Sequence, residues 1–168
     1  MSFRIIAAFL LCYIALCQAD FQKKQNLSGK TVFVSKMKKT WFDAKDYCLN
    51  KGYTLATVKS AKENGELTNV LKTMPVATHT WIGGIRHSQE NNFRWEGTQK
   101  QIDSTVYTNW EQGEPNNGRY IEFCMEYWND VTKNVEWKWN DNDCKQEQIF
   151  VCEKRGIKKS TQHLTRKM

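Results

Sequence analysis

Four cysteines, Cys48, Cys124, Cys144 and Cys152, constrain this chain more than any other feature, and the N-terminus gives them their meaning. Arg4 precedes an apolar run over residues 5–16, and the small residue Ala19 follows. That order reads as a secretory signal peptide over residues 1–19. The run is too short to span a bilayer and no second one follows, so no transmembrane anchor is expected. The leader takes Cys12 and Cys17 with it. The even set that remains in an exported chain reads as two disulfides, with every pairing open from sequence alone.

A chain of 168 residues suits one domain with a hydrophobic core. Its seven tryptophans and 40% apolar content exclude disorder over most of its length. The formal net charge of +7 is unevenly spread. Lysines crowd residues 20–47, and a basic tail over residues 155–168 carries Arg155, Lys158, Lys159, Arg166 and Lys167. The body between them is acidic on balance. A nucleic-acid reader usually carries its basic stripe on the fold itself, interleaved with aromatics, so no nucleic-acid partner is expected. The tail reads as a solvated end, or as an attraction to anionic polysaccharide or membrane surface.

Residues 20–30 are polar and read as a loosely ordered segment. They include the sequon Asn26-Leu27-Ser28, a candidate glycosylation site at Asn26. Residues 31–34 read as a strand. Thr40 with Asp43 forms an imperfect capping box, Trp41, Ala44 and Cys48 follow at helical spacing, and Gly52 is a stop. Ser60 with Glu63 opens a second helix whose apolar face is Leu67, Val70, Leu71 and Met74, ended by Pro75. Downstream, short aromatic runs alternate with Gly, Asn and Asp. Strands are expected at 80–83, 93–95, 120–127, 135–139 and 149–152, giving one α+β domain over residues 31–154. Residues 86–122 read mostly as loop, and a loop that long calls for a function or an extra constraint such as a metal.

The polar segments of that region supply oxygen. Glu114-Pro115-Asn116 follows Asn109-Trp110, Glu122 lies two residues before Cys124, and Asn140-Asp141 lies just before Cys144. Glu114, Asn116, Glu122, Asn140 and Asp141 form a hard, oxygen-only set of the kind calcium takes; zinc prefers His and Cys. By spacing alone, a solvated acidic loop explains them equally well.

Trp81-Ile82-Gly83-Gly84, Phe93-Arg94-Trp95-Glu96-Gly97, Asn109-Trp110, Glu114-Pro115-Asn116-Asn117 and Trp139-Asn140-Asp141, in this order relative to the four cysteines, resemble a C-type lectin domain. The resemblance implies a C-type lectin-like fold: two helices, short antiparallel strands, long calcium-binding loops and two disulfides. It implies pairing of Cys48 with Cys152 and of Cys124 with Cys144, and a cis bond before Pro115. Without a stalk or membrane helix, the chain resembles the small secreted lectins of invertebrates.

In that family the five oxygen residues form the main calcium site and also touch the sugar. Glu-Pro-Asn resembles the mannose, fucose and N-acetylglucosamine readers, whereas galactose readers usually carry Gln-Pro-Asp. The partners implied are terminal sugars of glycans or glycoproteins, on a microbial surface for instance. The alternative is a lectin-like domain that binds a protein or an anionic surface, with galactose-type or no sugar activity. Trp128-Asn129-Asp130 repeats the Trp-Asn-Asp motif, but only the second copy stands three residues before a cysteine, so the first is read as a strand end and turn. The family's auxiliary calcium positions fall on Arg86, Phe123 and Asn117, with only Glu90 acidic, so one calcium is expected. No motif specifies a subunit number.

Catalysis has little support. His79, His87 and His163 are scattered and read as surface or turn residues, no Gly-x-Ser-x-Gly elbow occurs, and no mature cysteine is left free. Trp41, Trp81, Trp95, Trp110 and Trp139 read as core.

Overall fold

The computed structural model describes residues 21–27, 29–74, 78–87 and 90–155. The leader, Pro75, His163 and the tail beyond Arg155 lie outside them. Among the described residues there are two helices and nine strands.

Helix α1 (Trp41–Asn50) starts as its capping signal predicts. The Asp43 amide donates to the Thr40 hydroxyl at 3.2 Å, and that hydroxyl donates to the Asp43 carboxylate at 2.6 Å. Helix α2 (Ala61–Leu71) is capped by Ser60, whose hydroxyl accepts from the Glu63 amide at 3.1 Å. Such caps contribute about 1 kcal/mol each. Trp41, Ala44 and Cys48 are the buried residues of α1, and Leu67, Val70 and Leu71 carry the buried face of α2, which also takes in Thr68.

The strands are β1 (Phe21–Leu27), β2 (Lys30–Ser35), β3 (Thr54–Leu55), β4 (His79–Ile85), β5 (Phe93–Trp95), β6 (Lys100–Ile102), β7 (Glu122–Asp130), β8 (Val135–Asp143) and β9 (Ile149–Arg155). Strand order runs β1-β2-β9-β4-β5-β6, and β7 joins β4 to β8. The pairs are antiparallel except β4 with β9. Two expectations are corrected here. The polar segment at 21–27 is not loose but forms β1, an edge strand hydrogen-bonded to β2, whose outward polar side chains conceal it from a hydropathy reading. The strand expected from residue 120 starts at Glu122, because Arg119 and Tyr120 are left-handed, at φ 54° and 60°.

The central strand β9 divides the core by its alternation. Ile149 and Val151 pack with Val32, Val34, Leu67, Leu71 and Tyr127 on one side. Phe150 and Cys152 pack with Trp41, Ala44, Cys48 and Trp81 on the other. Gly84 of β4 is required by close approach: a Cβ there would lie 2.2 Å from the sulfur of Met125. The disulfides join Cys48 to Cys152 and Cys124 to Cys144, the pairing the resemblance implies. The first spans 104 residues, and a bridge of that length stabilises by about 4–5 kcal/mol in the chain-entropy treatment.

A buried ion cluster ties β2 to β9 and α2. Lys30 Nζ donates to Glu153 at 2.9 Å, to Glu63 at 3.1 Å and to the Thr57 carbonyl. Glu153, 1% exposed, also accepts from the Thr57 amide and hydroxyl, both at 2.9 Å.

Candidate metal centre

The long segment before β7 is fastened to β8 by its Asn-Trp pair. The Trp139 amide donates to the Asn109 carbonyl at 2.8 Å, the Glu111 amide to the Trp139 carbonyl at 2.9 Å, and the Asn109 side chain to the Trp137 carbonyl at 2.9 Å. Trp139 is fully buried, with the rings of Trp95, Tyr107 and Trp110 edge-on to it at 5.6–5.8 Å. This aromatic anchor fixes the backbone from which Asn140 and Asp141 emerge. Trp41, Trp81, Trp95 and Trp139 are core residues as expected, and Trp110 packs half-buried at the core's edge.

Beyond the anchor, the Glu114–Pro115 bond is cis. Asp141, buried on β8, accepts from the Asn116 amide at 3.0 Å and the Asn117 amide at 2.9 Å. Glu114 accepts from the Asn116 side chain at 2.9 Å and from its backbone at 3.0 Å. Glu122, at the start of β7, accepts from the Gly118 amide at 2.7 Å, while its own amide donates to the Asn117 side chain at 3.1 Å. The turn between is strained: Asn117, Arg119 and Tyr120 are all left-handed, each at a cost of about 1 kcal/mol. Glu114, Asn116, Glu122 and Asp141 thus come together at one place. Asn140 stands beside them, but its side-chain nitrogen is turned to Glu126, at 2.9 Å.

Crowded carboxylates disfavour one another's charge. The Glu114 carboxyl is pushed up to about 7, by burial first and then by Asp141 and Glu122. Glu122 is also raised, by burial and by the charges of Asp141 and Glu126. The donor set is oxygen throughout, and the four cysteines are spent in disulfides, so its chemistry fits calcium and not zinc. Its ligand geometry is not preformed. Among the described residues no three His, Cys, Asp or Glu side chains stand in metal-holding positions, because the carboxylate oxygens are turned onto loop amides.

The partnerships of three residues at the site, Glu126, His79 and Arg86, escape sequence reasoning. Glu126, fully buried on β7, accepts from Asn140, from the Gln148 side chain at 2.5 Å, and lies 3.1 Å from His79 Nδ1. His79 is therefore half of a polar pair as well as a surface residue at the start of β4. Arg86 lies between the rings of Phe93 and Phe123, 5.1 and 5.7 Å from their centroids. It donates to the Glu122 carbonyl at 3.1 Å and stands 3.7 Å from Asp141. The nearby Glu90 is taken by Arg94 at 2.6 Å. No local pattern marks Glu126; Arg86 stands out only as a basic residue at an auxiliary calcium position of the resemblance, and its partners Glu122, Phe123 and Asp141 are distant in sequence. Trp128-Asn129-Asp130, by contrast, ends β7, where Asp130 caps the turn Val131–Lys133.

The sequence model of the Lectin C-type domain matches residues 37–154. The chain belongs to the C-type lectin domain family. It is 30% identical over 156 residues to salivary C-type lectin 2 of Aedes albopictus, covering 90% of this chain and 98% of that protein. Among solved structures it resembles the mouse scavenger receptor C-type lectin carbohydrate-recognition domain, with a TM-score of 0.66 and 27% identity over 80% of this chain and 94% of that one. It also resembles SPL-1 in its complex with GlcNAc, with a TM-score of 0.68 and 25% identity over 82% and 97%. The fold and both disulfides of this C-type lectin domain are those its motifs announced. The family is one of carbohydrate-binding rather than catalytic domains, and no described helix is long and apolar enough to cross a membrane.

Proposed function

We propose that this C-type lectin domain is secreted and binds terminal mannose-, fucose- or N-acetylglucosamine-type sugars through one calcium ion held by Glu114, Asn116, Glu122, Asn140 and Asp141. The observation that carries the reading is the double hydrogen bond from the Asn116 and Asn117 amides to Asp141. It brings the Glu-Pro-Asn loop and the Trp-Asn-Asp strand, 24 and 25 residues apart, to one point. Calcium, when bound, supplies a Lewis-acidic centre on which two neighbouring sugar hydroxyls replace water. Glu114 and Glu122 accept hydrogen bonds from those hydroxyls, and charged acceptors make such bonds stronger than neutral ones. Asn116 and Asn140 donate to the same hydroxyls, so each hydroxyl is held as donor and acceptor at once. The Glu-Pro-Asn order, with its acid first and its amide second, selects the mannose-type arrangement of hydroxyls in this reading. Microbial glycans are fitting ligands, and Asn26, on the exposed edge strand, is an accessible glycosylation site.

A mannose column in calcium, eluted with chelator, tests the proposal. Retention that chelator releases supports it; retention indifferent to chelator, or a glycan array lit only by terminal galactose, overturns it.

A further inference from the structure

At the far end of the sheet from this site, with β9 and β4 between, lysines gather that carbohydrate binding does not use. Register sets Lys24 opposite Phe33, Phe33 opposite Cys152, and Thr31 opposite Lys154. Strand alternation therefore puts Lys24, Thr31, Phe33 and Lys154 on one side of the sheet. Beneath them the rings of Phe21, Phe33, Tyr47 and Tyr53 touch in series: Phe33 stacks on Tyr53 at 4.4 Å, and Phe21 lies 5.3 Å from Phe33 and 5.9 Å from Tyr47.

Ammonium groups ride over this cluster. Lys24 lies 5.7 Å from the Phe33 centroid and Lys154 6.0 Å from Tyr53, while Lys39 and Lys51 stand 5.7 and 5.5 Å from Tyr47. Rings hold lysine stems in place, which lowers the ordering cost of a later contact. Among the described residues, Lys24, Lys39 and Lys154 have no carboxylate partner. The one acid of β9, Glu153, is buried and neutralised by Lys30.

We infer that this lysine strip is a second binding surface, separate from the calcium centre, for a linear polysaccharide bearing sulfate or carboxylate groups. Charge complementarity names the partner's sign, and several lysines held over one aromatic cluster suit a chain of repeated anions. Phe21 and Phe33 are under a tenth exposed, and the partly buried rings of Tyr47 and Tyr53 lie under Lys39, Lys51 and Lys154, so the face presents ammonium groups ahead of a lipid wedge or a base-stacking platform.

Heparin on a resin is the probe, with Asn26→Gln protein so that no glycan shares the face, and in chelator so that the calcium centre is silent. The protein is expected to bind and to elute with salt. The Lys24→Gln, Lys39→Gln, Lys154→Gln triple variant is expected to bind about tenfold more weakly while its calcium-dependent retention on mannose is unchanged. That unchanged retention shows the variant folded; should the mannose reading itself fail, coincident circular-dichroism melts of variant and parent serve the same purpose. No retention on heparin, equal retention of the triple variant, or retention lost only when residues 156–168 are removed overturns the inference. So does preferential binding to phosphatidylserine vesicles.

Discussion

The side-chain nitrogen of Asn140 donates to Glu126 at 2.9 Å, and the two residues face each other across the ladder of β7 and β8. This bond takes one N–H of the Asn140 amide; in the proposed site the oxygen ligates calcium and the second N–H remains for a sugar hydroxyl. Glu126 thus does for Asn140 what an outer-shell partner does for a metal ligand.

Replacing Glu126 with Gln lets the Asn140 amide turn either way and removes the carboxylate. Calcium affinity is expected to fall about tenfold, since outer-shell partners of metal ligands carry effects of that size. Isothermal titration of the parent and variant measures it, and equal affinities would show that Asn140 needs no such support.

Three groups in this region hold protons more tightly folded than unfolded. Glu114 is pushed up to about 7, Glu122 is raised, and His79 is raised chiefly by its hydrogen bond to Glu126. A group raised on folding stabilises below its unfolded pKa and loses that contribution as pH climbs through the folded one. The calcium-free protein should therefore lose stability from about pH 4.5 to above pH 7, the interval bounded below by the unfolded glutamate value. Calcium, by replacing protons on the carboxylates, should flatten the Glu114 and Glu122 part of the slope. Urea unfolding across that range, with and without chelator, gives the sign.

Lys30 neutralises a carboxylate that has no access to water. Lys30→Met leaves Glu153, among the described residues, with Arg155 at 3.1 Å as its remaining salt-bridge partner, and breaking a buried pair this way costs about 3–5 kcal/mol. The midpoint of denaturant unfolding should drop accordingly with an unchanged slope. Because the cluster is remote from the metal centre, calcium affinity of the folded variant should be that of the parent.

One calcium per chain is expected. The guanidinium of Arg86, wedged between Phe93 and Phe123 and 3.7 Å from Asp141, occupies with positive charge the ground an auxiliary ion would need. Titration with a stoichiometry near two at micromolar affinity would contradict this.

Much of the architecture was legible along the chain. Thr40 with Asp43 and Ser60 with Glu63 announced both helices because capping is local, and the short apolar run at 149–152 announced β9 because a strand buried on both faces is apolar throughout. The motif order around the cysteines carried the family. Strand β1 was hidden because an edge strand needs only one bonded neighbour and keeps polar side chains outward. The short strand β6 lacks the aromatic residues that marked β5.

By itself, then, the sequence determined the family, the disulfide partners implied by it, and the proposed oxygen donors Glu114, Asn116, Glu122, Asn140 and Asp141. Only the tertiary structure decided how those donors are governed: Asp141 bound to loop amides, Asn140 oriented by Glu126, Arg86 set between two rings, and lysines from β1 and β9 drawn onto one face. The physical reason is distance along the chain. Lys24 meets Lys154's strand, and Arg86 meets Asp141, only after β2, β9, β4, β7 and β8 have paired, and side chains brought together by long-range pairing leave no trace in local spacing.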